Sequence, residues 1–215
     1  MAQRIAAATA ARQNEVERAD RIIAAAYDLL DEAGLESLTI RAVLARTGLA
    51  RRAFYDRFAG KDDLVLAVFA HTLQRAAEVF AAEIEGMSDP LERLRSIVTG
   101  IVLGRESAGL GGVDSGRRGA ALSREHLRLA EARPAELSRA VRPVVALIEA
   151  QLADGMAAGT VRHASAERLA ALVYNLVSTT VHAELLAAEA GTLAPRRREH
   201  LAGEIWDFCR RAVAA

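Results

Sequence analysis

Apolar residues recur at three- and four-residue spacing through most of the chain. The first clear stretch, Ile22, Ile23, Ala26, Tyr27, Leu30 and Ala33, follows Asp20, a good N-cap, and stops at Gly34. This spacing predicts a helix over 20–33. Residues 1–19 carry Arg4, Arg12 and Arg18 in an alanine-rich stretch without clear periodicity, which predicts a flexible N-terminal arm. The run from Leu38 to Val43 then sets an N-cap threonine, Thr39, between Leu38 and Val43, the two positions of a hydrophobic staple. Gly48 ends that helix early, and a new apolar segment through Leu49, Ala53, Phe54 and Phe58 begins at once. Two short helices joined by a three-residue turn containing glycine have the spacing of a helix-turn-helix.

The remaining elements read as helices as well. A long one is expected from Lys61 to Glu85, with Asp62 and Asp63 complementing its dipole. Asp89-Pro90-Leu91-Glu92 combines an N-cap, a proline at the first helical position and a capping-box glutamate, and opens a helix to about Leu103. Gly104–Gly119 holds six glycines in sixteen residues and is expected to be a loop. Helical pattern resumes near Ala120 and breaks at Pro134; Pro143 starts or kinks the next helix, which ends around Gly155 to Gly159. Ser165 caps a helix to about Ala190, and Pro195 opens a last one to about Ala212. The expected fold is all-α, with about nine helices, no strand and no internal repeat.

Composition agrees with that class. Of 215 residues, 47 are alanine and 27 arginine, both strong helix formers, while aromatics number nine. A chain of this length buries about 70% of its unfolded surface and sustains a core. Cys209 is the single cysteine, with no set of Cys and His ligands beside it, so neither an intrachain disulfide nor a metal site is expected. The longest apolar run, Leu64 to Ala70, has seven residues, too few to span a bilayer, so a cytoplasmic protein without a membrane partner is expected.

Charge changes the picture more than composition does. Lys plus Arg equals Asp plus Glu at 28 each, yet residues 39–61 hold Arg41, Arg46, Arg51, Arg52, Arg57 and Lys61 against Asp56 alone. Six cations and one anion make that segment +5, so the other 192 residues sum to −5. Cations of this density on a helix-turn-helix neutralise phosphates and release counterions, the main source of sequence-independent DNA affinity. Arg51 and Arg52 open the short helix that enters the major groove, where an arginine can grip guanine O6 and N7. The Tyr55 hydroxyl lies one turn on, in reach of a phosphate. Lys61 and the nearby amides are placed to hold another.

The segment from Arg21 to about Ala70 resembles the N-terminal domain of TetR-family transcriptional regulators. The resemblance is carried by Leu38-Thr39-Ile40-Arg41 through Thr47-Gly48-Leu49, then Arg51, Phe54-Tyr55, Phe58 and Lys61-Asp62-Asp63-Leu64. It implies DNA contacts from Thr39, Arg41, Arg51, Arg52, Tyr55 and Lys61. Two positions depart from the family pattern: Ala50 replaces the usual Ser or Thr cap of the recognition helix, and Leu44 replaces a usual alanine. The resemblance also implies a division into a DNA-binding domain over 20–62 and an effector-binding and dimerisation domain over 63–215.

In the second of these domains, Leu169, Leu172, Val173, Leu176, Val177, Val181 and Leu185 sweep an arc of about 220° on one helix, where a single buried face needs only about 100°. The excess suggests burial on two sides, against its own domain and a second subunit. In the resembled family the last two helices pair with their dyad mates in a four-helix bundle, which assigns Leu169, Leu172, Val173, Leu176, Leu201, Ile205 and Phe208 to a homodimer interface. The polar wedge of the same helix holds Asn175, Ser178, Thr179 and His182. With Tyr174, these are the candidate lining of an effector pocket. Leu73, Ile97, Ile101, Val144, Ile148 and Gln151 are further candidate liners, and the scarcity of aromatics favours an apolar or weakly polar ligand.

Catalytic signatures are missing: Gly109, Gly111 and Gly112 have the wrong spacing for a dinucleotide loop, Gly60-Lys61 lacks the upstream glycine of a P-loop, and no nucleophile elbow appears. No enzyme and no cofactor are expected. The expected function is a homodimeric repressor that binds a pseudo-palindromic operator in double-stranded DNA and is released by a small-molecule effector. Its rivals are an activator of the same build and a helical interaction module without DNA binding.

Overall fold

A computed structural model describes residues 1–104, 115–187 and 194–215. Its described residues form nine α-helices, a single 3-10 turn and no strand beyond one isolated bridge, Val161 to Ala214. They divide into two compact units, Met1–Val68 and Phe69–Ala215. The boundary falls six residues beyond the one expected from sequence, inside a helix and not at its start.

The first unit contains α1 (Ala2–Ala33), α2 (Ile40–Thr47), α3 (Arg51–Tyr55) and the opening turns of α4 (Lys61–Ile84). Helix α1 corrects the expectation of a flexible arm over 1–19, because helix runs unbroken from Ala2. No glycine or proline interrupts residues 2–33, so alanine and arginine propensity carries the helix where hydrophobic periodicity is silent. Ile22, Leu30, Leu38, Val43, Phe54, Phe58 and Leu64 form its buried interior. The phenol of Tyr27 on α1 donates to the carbonyl of Val68 on α4 at 3.3 Å.

The turn between α2 and α3 is built as the sequence predicts. The Thr39 hydroxyl accepts from the Ala42 amide at 3.1 Å, and Gly48 takes the left-handed conformation, φ 66°, closing α2 onto the Leu44 carbonyl at 3.0 Å. Helix α3 has only five residues, and Ala50 supplies no side-chain cap. The apolar segment from Leu49 to Phe58 extends past the helix at both ends, with Phe58 buried and its amide donating to the Phe54 carbonyl at 2.9 Å.

In the second unit, α5 (Pro90–Leu103) packs on α7 (Pro134–Ala157), α8 (Ala166–Ala187) and α9 (Pro195–Val213), while α6 (Ser115–Ala132) packs on α7 and α8. Asp89 Oδ1 accepts from the Leu91 amide at 2.8 Å, as its position requires, whereas Glu92 reaches Arg95 instead of closing the capping box. Part of the expected Gly-rich loop is helix, since α6 begins at Ser115; 105–114 lie outside the described residues, as does 188–190 at the expected end of α8. Pro134 is the first residue of α7, a position where no amide is needed, and Pro143 lies inside that helix. The core gathers Phe80, Leu94, Ile97, Val98, Ile148, Leu152, Val173, Val177 and Trp206. Helices α4 and α8 are long and apolar enough to cross a membrane by length and composition, although the longest uninterrupted apolar run is short; each contributes side chains to this core.

Candidate nucleic-acid interface and C-terminal cleft

Of the six sequence-predicted DNA residues, Thr39 caps α2, Arg41 lies on it, Arg51, Arg52 and Tyr55 lie on α3, and Lys61 opens α4. Arg41, Arg51, Arg52 and Tyr55 are exposed, as are Thr39 and Arg57. The Arg52 side chain is 92% accessible and makes only a loose ion pair with Asp56 at 4.0 Å. Tyr55 is held by its ring edge against Phe54, centroids 5.4 Å apart and planes at 83°, which leaves its outer part in solvent. Thr39 spends its hydroxyl oxygen on the α2 cap. Lys61 is half-buried and donates to the Leu35 carbonyl at 3.3 Å, with two further ammonium protons available for a phosphate.

Arg46 differs from the other cations. It pairs with Glu32 at 2.7 Å and with Asp28 at 3.8 Å, so it joins α2 to α1. The hydrogen bond from Arg46 holds the Glu32 carboxyl below its ordinary range, and the same bond raises Arg46. Arg21, which the sequence reading passed over, donates to the Thr47 carbonyl at 2.7 Å, and the Thr47 hydroxyl in turn accepts from the Leu49 amide at 3.3 Å. These two bonds fix the turn ahead of α3. The sequence signal for the α1 acids was their i, i+4 spacing at 28 and 32.

The second unit holds a cleft of about 470 Å³ among α6, α7 and α8. Of the sequence-predicted pocket residues, Tyr174 and Asn175 line it. Ser178 is buried one turn further along α8 and donates to the Asn175 carbonyl at 3.4 Å. Ile97, Val144 and Ile148 lie in the core, with Leu73 and Ile101 packed against it. Gln151 is buried and donates to the Leu147 carbonyl at 3.1 Å. His182 packs against His126 at a tilt, centroids 4.6 Å apart and planes at 57°, and it is His126 that lines the cleft. Burial, then the neighbouring His126, pushes the His182 pKa down to about 4, and burial lowers His126 as well. His126, Ser138, Arg142 and Glu167 are liners that sequence periodicity did not mark. Burial also pushes the Cys209 thiol up to about 11, which leaves it protonated and unreactive.

The predicted interface residues separate into two groups. Leu169, Val173, Leu201 and Ile205 are buried within their own unit, and Leu176 is half-buried. Leu172 and Phe208, in contrast, are 60% and 62% exposed.

A short glycine-punctuated helix pair bearing outward arginines has the build of a helix-turn-helix, and a separate helical unit holds the cleft. Residues 22–68 match the profile of bacterial regulatory proteins of the tetR family. Over those residues the chain is similar to the N-terminal domain of that family. It is 31% identical over 78 residues to the HTH-type transcriptional regulator HbdR of Aromatoleum sp. (strain CIB), a match covering 36% of this chain and 34% of that protein. The chain thus spans about a third of the length of this relative. Likeness of fold extends further. The fatty acid degradation regulator FadR from Bacillus halodurans superposes with a TM-score of 0.68 at 15% identity, covering 89% of this chain and 94% of that one. A regulatory protein of the tetR family from Rhodococcus RHA1 gives 0.60 at 20% identity over 92% and 97%. RolR in complex with resorcinol gives 0.67 at 16% identity over 94% and 90%.

Proposed function

We propose that this chain is a homodimeric repressor that binds a pseudo-palindromic operator through α2 and α3 and is released by a small-molecule effector held in the α6–α8 cleft. The observation that carries the DNA reading is the pair Arg51 and Arg52, exposed at the start of α3 with no more than the loose Arg52–Asp56 contact, whereas Arg46 is tied to α1 and Lys61 to a backbone carbonyl. Direct readout of guanine by these side chains supplies specificity, and Arg41, Tyr55 and Lys61 hold the backbone. Exposed Leu172 and Phe208 on the last two helices support pairing with a second copy, which sets two recognition helices on successive half-sites. The effector reading is supported by the cleft and by a relative in fold, RolR, that binds resorcinol. An effector acts only through unequal affinity for the DNA-bound and released states. A regulator of this kind works in the cytoplasm, where its operator is.

Footprinting on the DNA upstream of the protein's own gene tests the proposal. Protection at low salt that disappears as salt rises, and that shifts in sequence preference with Arg51→Ala, is the expected result. No protection at low salt would overturn it.

A further inference from the structure

The cleft has one ring whose surroundings constrain what it can bind. His126 lines the cleft from α6, and its imidazole is flanked by Phe69, centroids 5.6 Å apart at 63°, and by His182 at 4.6 Å. Its Nδ1 is sealed from solvent and meets no hydrogen-bond partner among the described residues, so Nε2 is the nitrogen left for a cleft occupant. Burial lowers the pKa of the ring and so favours its uncharged form. A sealed lone pair costs less than a sealed N–H, which puts the proton on Nε2 and makes it a donor.

The rest of the wall is mixed, with Ser138 and Asn175 as uncharged polar groups beside apolar residues. Ala130, Leu137, Val141, Val145 and Ala171 are apolar. Arg142 already donates to Glu149 at 2.8 Å and also feels Glu167, a second carboxylate on the rim. An incoming carboxylate meets two acids competing for one guanidinium. An incoming ammonium meets Glu167, but Arg142 already faces that carboxylate, and an imidazole with its proton on Nε2 offers it no acceptor.

Building on the reading of this cleft as the effector site, we propose that His126 is its recognition group, and that the ligand is an uncharged molecule presenting an oxygen acceptor on an apolar body. Benzyl alcohol, benzoate and benzylammonium share one ring and differ in head-group charge, and toluene lacks the polar atom. Their affinities for the full chain, measured by ligand-observed NMR at pH 7.5, test the assignment. Three variants complete the set: Ala171→Trp to fill the cleft, and His126→Phe with His126→Gln as its donor-retaining counterpart.

Benzyl alcohol is expected to bind about tenfold more tightly than the other three, the worth of one satisfied hydrogen bond. His126→Phe should bring it down to the level of toluene, His126→Gln should recover part of the difference, and Ala171→Trp should abolish binding. Equal or tighter binding of benzoate or benzylammonium overturns the inference, as does a benzyl alcohol affinity indifferent to both His126 variants. Failure of every compound to bind, or binding that survives Ala171→Trp, overturns the effector-site reading together with it.

Discussion

Arg46 of α2 donates to Glu32 of α1 at 2.7 Å, and this bond answers one of the six cations of the basic segment 39–61. Its charge is answered within the protein, so it has little left for a phosphate. Arg46→Ala should leave the slope of log affinity against log salt unchanged, while Arg41→Ala, which removes an unanswered cation, should lower it by about one. Gel-shift titrations at three salt concentrations separate the two. An equal drop in slope for both variants would show that Arg46 leaves Glu32 on binding DNA.

Thr39 and Ala50 stand at equivalent places, each the residue before a short helix with extended backbone, and only Thr39 caps. Thr39→Ala should cost about 1 kcal/mol, and Ala50→Ser should add about 0.5–1 kcal/mol by capping α3. Thermal melts of the two variants should therefore move in opposite directions. A lower melting temperature for Ala50→Ser would mean that the serine cannot reach the amides of so short a helix.

How far the sequence revealed this molecule depends on the range of the interaction. Thr39, Gly48 and Asp89 act on residues two to four positions away, and their elements begin or end where the pattern places them. Helix α1 was read short because propensity without amphipathicity leaves no periodic trace. The cleft was read only in part: Tyr174 and Asn175 emerged as uncharged polar positions on α8, but His126 and Val141 meet them through packing between helices, which periodicity does not encode. The pairing of Arg46 with Glu32 escaped for the same reason. So did the division of the α8 stripe into buried Leu169 and Val173 and exposed Leu172.

Gly155 is required by a close approach. A Cβ there would lie 2.5 Å from Val161 Cγ2 and 3.2 Å from Val161 Cβ, beside the segment where Arg162 and Ala215 bond back to Val213 and Thr160. Gly155→Ala should destabilise by about 1–3 kcal/mol through overpacking. Val161→Ala, added to it, should return part of that loss, so urea melts of the double-mutant cycle should show non-additivity. Additive effects would place the strain elsewhere.

His182 makes stability sensitive to acid. Its pKa falls from the ordinary 6.5 to about 4 in the folded chain, so between those values the unfolded chain binds a proton that the folded chain refuses. The stabilisation is complete above pH 6.5 and is lost as pH falls toward 4. His182→Leu should flatten this part of the stability profile, measured by chemical denaturation between pH 4 and 7. An unchanged slope would assign the acid sensitivity to other groups.

Leu172 on α8 and Phe208 on α9 are large apolar side chains left in water by their own unit, at 60% and 62% exposure, while their neighbours Leu169 and Ile205 are buried. If they meet a second copy, a charge at either place is desolvated in the dimer and solvated in the monomer. Leu172→Arg and Phe208→Glu should therefore shift the chain to monomer in sedimentation velocity without lowering its helix content. Operator affinity should fall as well, since a monomer engages one half-site and loses the linkage between the two. Retention of the dimer by both variants would place the pairing surface away from α8 and α9, and with it the spacing of the recognition helices.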